Sequence, residues 1–346
     1  MNPISFGTLA ILSVASFGIA ACDTSDSNGH TAARTPEPGP ATGTGVGQPP
    51  SLAEAPAPPI SLAINVAAND ATAQSPFDAT PSPDGTSVYF TALTGDPSER
   101  VPGLFQVPAA GGAITTIASG TPLGAPLGIS VSLDGTTLFV ADPGAASGGA
   151  ILSVPSAGGA PTALGGTAGY YPGGVVVAKV NDQESVYFTG RDPTSGAPGL
   201  FMTAEAGGGV TTVAEGAPFA EPGGVVVAKD GTAYVADSLA SGDLAAIVKV
   251  SGGAASLLVP RIGVGFPAGV TLTEDESTLL VSGLDPVTRT DLVYFADVKT
   301  GELSRLTDPI SAFHDSAGLH RAYGANVFAW ADSRANTNGT VYVLKQ

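Results

Sequence analysis

The sequence predicts an all-β fold, a six-bladed β-propeller of four-stranded antiparallel blades over residues 60–346. Three observations lead there. One unit recurs along the chain, and its clearest copy, 222–237, reads as a short apolar strand, an Asp-Gly turn, a second strand and a closing Asp. The centres of the second strands fall at Tyr89, Phe139, Tyr187, Tyr234, Leu280 and Phe328, a spacing of 46 to 50 residues that matches the period of a propeller blade. With Gly 47, Pro 29 and only 12% charged residues, the chain suits short strands and tight turns rather than helices. Finally, the last copy stops one strand short, while a strand-like segment at 60–66 precedes the first copy. Pairing the two completes the sixth blade and covers an open edge.

Ahead of the repeats, residues 4–21 form an apolar, small-residue run of signal-peptide length, although no Lys or Arg precedes Cys22. The run ends in Ile19-Ala20-Ala21-Cys22, which resembles a bacterial lipobox. That resemblance implies a signal peptide over 1–21, cleavage before Cys22 and acylation of that cysteine. The expected location is the cell envelope, on the periplasmic or cell-surface side, with the lipid as membrane anchor. The competing expectation is an uncleaved helix of about 18 residues, barely long enough to span a bilayer. Residues 22–59 are rich in Pro, Gly, Thr and Ala and poor in bulky apolar residues, so they read as a disordered tether. Cys22 is the single cysteine, which excludes a disulfide framework.

The net charge of −17 comes with 13 scattered Lys and Arg residues. No basic stripe exists to neutralise phosphates, so nucleic acid is not an expected partner.

Within the repeats, inner strands start at 126–129, 172–175, 222–225, 267–270 and 316–319, each with a small residue or glycine before the first aliphatic one. Asp84-Gly85, Asp134-Gly135 and Asp230-Gly231 supply tight hairpin turns. Third and fourth strands follow, joined by Gly-rich turns such as Ala110-Gly111-Gly112 and Ala157-Gly158-Gly159. The closing Asp142, Asp237 and Asp332 mark only the even copies, and the odd copies match each other over 103–120 and 199–216. That alternation suggests duplication of a two-blade unit. The Pro-x-Gly-Val-x-Val and Asp-Gly-x-x-Tyr-Val-Ala-Asp elements of the fourth copy resemble an NHL-type repeat. The domain as a whole is similar to propellers of the NHL, gluconolactonase-like and TolB-type group.

The resemblance implies that loops leading into the inner strands and loops leaving the second strands share one functional face. On it would lie Phe77, Asp78, Leu123, Tyr170, Tyr171, Phe219, Glu221, Phe266, Phe313, His314 and Asp315, with Asp96, Asp142, Asp192, Asp237, Asp285 and Asp332 on the exit loops. The repeated Asp residues are expected to cap turns, and the aromatic ones to pack between blades. Candidate binding residues are Asp78, Tyr171, Glu221, Phe266, His314 and Asp315. Symmetry does not account for Asp78, Glu221, His314 and Asp315, a set that could ligate a hard cation such as Ca²⁺ or serve acid–base chemistry. His320 alternates toward the channel and is expected to be a structural histidine.

Two functional expectations stand. One is a monomeric, non-catalytic envelope protein, without cofactor, binding a protein, glycan or small-molecule ligand, or acting as an assembly scaffold. The other, implied by the gluconolactonase-like resemblance, is a metal-dependent lactonase, hydrolase or lyase. In that group a Glu, Asn residues and an Asp surround a central metal. Here Asp78 stands where the Glu is expected, and no Asn stands at the other inner-strand starts.

Overall fold

The computed structural model describes residues 61–284, 291–305 and 315–346. The signal run, Cys22, the tether, Asp285, Phe313 and His314 lie outside the described residues.

The chain opens with β1 (Ala63–Ala68). Blade one follows as β2 (Gln74–Pro81), β3 (Ser87–Thr94), β4 (Val101–Pro108) and β5 (Thr115–Ser119). Blade two is β6 (Gly128–Val131), β7 (Thr137–Asp142), β8 (Ala150–Pro155) and β9 (Thr162–Ala163). Blade three is β10 (Val175–Val180), β11 (Gln183–Arg191), β12 (Pro198–Thr203) and β13 (Thr211–Glu215). Blade four is β14 (Pro222–Val227), β15 (Ala233–Asp237), β16 (Ala245–Ser251) and β17 (Ala254–Ile262). Blade five is β18 (Val270–Leu272), β19 (Thr278–Leu284), β20 (Asp291–Asp297) and β21 (Leu303–Arg305). Blade six is β22 (Ser316–Arg321), β23 (Val327–Asp332) and β24 (Thr340–Lys345). All six sheets have four antiparallel strands, and in the sixth the order is β1-β24-β23-β22. Each inner strand touches the next one around the ring, including β22 against β2.

The closing strand therefore pairs as the sequence predicts, but its limits differ. Its first paired residue, Ala63, faces Lys345, the last residue of β24, and Ser61 and Leu62 lie outside the ladder; Ile60 is outside the described residues. At its other end it runs on to Ala68, opposite Val341, across a bulge. Just beyond, the Asn69 side chain donates to the Gly339 carbonyl at 2.7 Å and to the Thr340 hydroxyl at 3.0 Å.

Alternation along the strands decides where the core sits. In β3, Val88, Phe90 and Ala92 face blade six, whereas Tyr89 faces blade two. Both faces of a blade are thus buried, so the second and third strands read as continuous apolar runs. The buried side chains form six clusters, one at each junction between neighbouring blades. Trp330, fully buried, fills the junction between blades five and six.

The Asp-Gly hairpins behave as their chemistry requires. Asp84 accepts hydrogen bonds from the Ser82 hydroxyl at 2.6 Å and the Thr86 amide at 3.1 Å, while Gly85 takes a φ of 69°. Asp134 repeats the arrangement, and Asp275 repeats its hydrogen bonds with Glu276, at a φ of 59°, in place of the glycine. The hydroxyl bonds, followed by the amide bonds, hold these three carboxyls below the usual carboxylate range. In blade six the register corrects one assignment. His320 pairs with Ala329 as Val226 pairs with Tyr234, so Ala329 rather than Phe328 is the central residue of that second strand. The closing Asp332 sets this alignment, and the aromatic residue lies one position off.

Candidate functional site

At one level of the axis the six inner strands present Asp78, Gly128, Gly174, Gly224, Gly269 and Gly318, from blades one to six. The strands meet there almost backbone to backbone. A methyl group on Gly128 would lie 3.1 Å from Gly174 Cα. One on Gly174 would overlap the Gly223 carbonyl, one on Gly224 the Ala268 carbonyl, and one on Gly269 the Leu319 amide. The Gly224 amide donates across the junction to the Ala268 carbonyl at 2.7 Å. A methyl has no room at Gly174, Gly224 and Gly269, and at Gly128 it fits only if its neighbour gives way.

Asp78 is the one side chain in this ring, and it fills the centre. It is 3% exposed. Its Oδ1 accepts from the Ala79 amide at 2.8 Å; its Oδ2 accepts from the Ile129 amide at 2.8 Å and lies 2.9 Å from His320 Nε2. A methyl on Gly318 would collide with its carboxylate. Five glycines and one satisfied carboxylate thus close the axis beneath the loops that lead into the inner strands, here termed the inlet face.

Around the ring, odd and even blades are braced differently. In blade three the Thr189 hydroxyl accepts from the Gly174 amide at 2.9 Å and donates to the Gly223 carbonyl of blade four at 2.6 Å. Ser282 of blade five does the same between Gly269 and Ala317. Thr91 holds this position in blade one, but its hydroxyl is buried without a partner among the described residues, opposite the residue where Asp78 replaces glycine. Even blades place alanine there and use the closing Asp instead. Asp142 Oδ2 accepts from Gly124 N at 2.8 Å, and its Oδ1 from Ala125 N and Gly144 N at 2.7 and 2.9 Å. Asp237 ties Ala220, Glu221 and Leu239 in the same way, and Asp332 Oδ1 ties Arg334 and Ala335. These carboxylates cap their exit turns, and the first two also clamp the neighbouring inlet loop.

The remaining candidates stay on the inlet face. Tyr171 is 59% exposed with a φ of 46°, and Phe266 is 62% exposed. Leu123 and Phe219 are buried, and Tyr170 packs edge-on against Phe201 at 4.9 Å. Glu221 pairs with Arg191 at 2.8 Å, and Asp315 with Arg334 at 3.1 Å. Among the described residues, Asp78, Glu221 and Asp315 do not gather into a group able to hold a metal ion.

Sequence reasoning did not foresee a cavity at the opposite end of the axis, where the Asp-Gly hairpins lie. Its volume is about 330 Å³. Thr80, Ser130, Val176, Val226, Thr271 and His320 share one inner-strand position, two residues beyond the glycine ring, and form its floor. Lys179, Lys229, Glu274, Glu276 and Arg321 stand toward its mouth. Arg321 donates through Nε to the Leu272 carbonyl at 2.7 Å and through Nη1 to the Ala322 carbonyl at 2.8 Å. Burial draws its pKa down, while Glu274 and Glu276 oppose that shift. The signal for this floor was the alternation after each glycine, which points the next-but-one residue back to the axis.

Replacing Gly224 by alanine forces a methyl into the Ala268 carbonyl and should destabilise the domain by about 1–3 kcal/mol. Gly209→Ala is the control, because nothing lies within 4 Å of a methyl there. Guanidinium unfolding midpoints compare the two, and equal midpoints would contradict the tight ring.

No family model matches the sequence, and no curated protein matches it. Many solved structures share its fold. A putative TolB from Agrobacterium tumefaciens is 16% identical with a TM-score of 0.55, over 78% of this chain and 90% of that one. A gluconolactonase from Xanthomonas campestris is 16% identical with a TM-score of 0.54, over 80% of this chain and 87% of that one. A chain of a nidogen/laminin complex is 16% identical with a TM-score of 0.54, over 72% of this chain and 85% of that one. At these identities the likeness is one of fold: the chain is a six-bladed β-propeller of the architecture found in TolB-like, gluconolactonase and nidogen/laminin structures.

Proposed function

We propose that this protein is a non-catalytic binding propeller of the cell envelope, lipid-anchored through Cys22, that holds a macromolecular partner on its inlet face. The observation that carries the reading is the closed axis beneath exposed apolar side chains. Tyr171 and Phe266 project from inlet loops of blades three and five, and Leu239, 45% exposed, from the exit loop of blade four. With glycines and Asp78 filling the axis below, that face offers a broad surface rather than a deep pocket. Large exposed aromatic side chains over a rigid floor suit contact with another macromolecule. The envelope location is supported by the lipobox-like Ile19-Ala20-Ala21-Cys22.

The metal-dependent hydrolase reading fares worse on the same geometry. Five of the six ring positions are glycine and supply no ligand, and the carboxylate of Asp78 is occupied by two amides and His320.

Two experiments test the proposal. Tyr171→Ser combined with Phe266→Ser should lower capture of envelope partners at least about tenfold while leaving the thermal midpoint unchanged, since both side chains are exposed. Undiminished capture would overturn the assignment of this face. Cys22→Ser should move the protein from the membrane fraction to the soluble one; retention at the membrane would overturn the lipid anchor.

A further inference from the structure

We propose that the cavity on the hairpin face is a separate binding site for a small, neutral, hydroxylated molecule of the sugar or polyol class. This inference is independent of the inlet-face reading, because the glycine ring and Asp78 stand between the two faces.

The floor of the cavity carries polar atoms that the fold itself leaves unused. Thr80 is 3% exposed, Thr271 4% and His320 7%, and all three line the cavity. They come from three consecutive blades, one, five and six, counted around the closed ring. Neither threonine hydroxyl has a hydrogen-bond partner among the described residues. Neither hydroxyl oxygen is sealed from the cavity, so blades one and five each present an unpaired hydroxyl, and blade six the His320 ring, to the same space. Ser130, at the equivalent place in blade two, differs because its oxygen already accepts from the Val177 amide at 3.0 Å. Opposite these polar groups, Val176 and Val226 give the floor an apolar side.

His320 sets the chemistry of the ligand. The Asp78 carboxylate already accepts two backbone amides, and Oδ2 lies 2.9 Å from His320 Nε2. A carboxylate in that setting is an acceptor, so Nε2–H donates to it. Nδ1 has no partner among the described residues and belongs to a side chain that lines the cavity. A hydroxyl can meet that nitrogen whether it donates or accepts, and the two threonine hydroxyls complement ligand hydroxyls in either sense.

The charges at the mouth disfavour ionic ligands. Lys179 is paired with Asp182 at 3.5 Å and Lys229 with Glu276 at 4.0 Å. The Arg321 guanidinium is committed to carbonyls of Leu272, Ala322, Tyr323 and Ala325. An anion would therefore meet cations already engaged, and would also face Glu274 and Glu276. A cation would meet those two carboxylates only beside Lys179, Lys229 and Arg321. A neutral ligand avoids both costs. Hydroxyls toward blades five, six and one, with C–H surface toward Val176 and Val226, describe a sugar or sugar alcohol. The cavity lies at the lower end of the range of about 300–1,000 Å³ usual for small-molecule sites.

Isothermal titration calorimetry of the purified protein with glucose, galactose, xylose and sorbitol tests the assignment, with gluconate and glucosamine as charged counterparts. At least one neutral compound should bind saturably below about 10 mM, and at least about tenfold more tightly than either charged one. Thr80→Val and Thr271→Val keep the side-chain shape and remove a hydroxyl that no protein group uses. Each should weaken binding about tenfold while leaving the thermal midpoint equal or higher. The proposal is overturned if none of the four neutral compounds binds, if gluconate or glucosamine binds as tightly, or if the valine variants bind unchanged. A lower thermal midpoint in either variant would also overturn it, since the hydroxyl would then serve the fold.

Discussion

Six inner strands can converge on one axis only where their side chains nearly vanish, and in this propeller that place is the level of Gly128, Gly174, Gly224, Gly269 and Gly318. At Gly174, Gly224 and Gly269 the backbone of the neighbouring blade leaves a single methyl group no room, and at Gly318 the Asp78 carboxylate does so. The sixth position, Asp78, fills the remaining space and converts it into hydrogen bonds to Ile129 and His320, and so to blades two and six. This contact stands between two ends of the molecule. The inlet face is a floor that carries exposed aromatic side chains, and the hairpin face retains a cavity.

The rest of the architecture follows from keeping that ring closed. Among the described residues, neighbouring blades meet through six apolar clusters, and at the level of the glycine ring polar bracing is added to them. Odd blades brace it with a second-strand hydroxyl, as Thr189 and Ser282 do, and even blades cap their exit turns with Asp142, Asp237 and Asp332, the first two of which also clamp the loops above. The two-blade rhythm seen in the sequence has this physical counterpart. Thr91 completes the odd set by position but lacks a partner among the described residues, and the residue opposite it is Asp78 rather than glycine. The break in symmetry at Asp78 therefore touches both the ring and its bracing.

Features governed by local backbone chemistry were legible in the sequence. Asp-Gly hairpins, closing carboxylates and the pairing of a first strand with the last blade each depend on residue type and spacing alone, and they hold from Asp84-Gly85 to Asp332. The span of the first strand was misjudged because it depends on where β24 ends, at Lys345. Phe328 was misplaced by one residue because aromatic character is a weaker guide to register than the closing Asp. The axis was harder to read. The glycines before each inner strand are visible as a pattern, but only their radial distance shows that they exclude side chains. Asp78 looked like a ligand-bearing residue beside Glu221 and Asp315; in three dimensions each of these carboxylates has its own cationic or amide partners. The hairpin-face cavity was overlooked because its floor mixes threonine, serine, valine and histidine, a set with no motif until the blades are superposed.

The closed axis can be observed directly by amide hydrogen exchange. The Ile129 amide, bonded to Asp78, and the Gly224 amide, bonded to the Ala268 carbonyl, should exchange only through global unfolding, as slowly as the buried strand amide of Val235. Exchange of Ile129 and Gly224 at the rate of an open turn such as Gly209 would mean that the inner strands do not meet, and the division into a floor and a cavity would not hold.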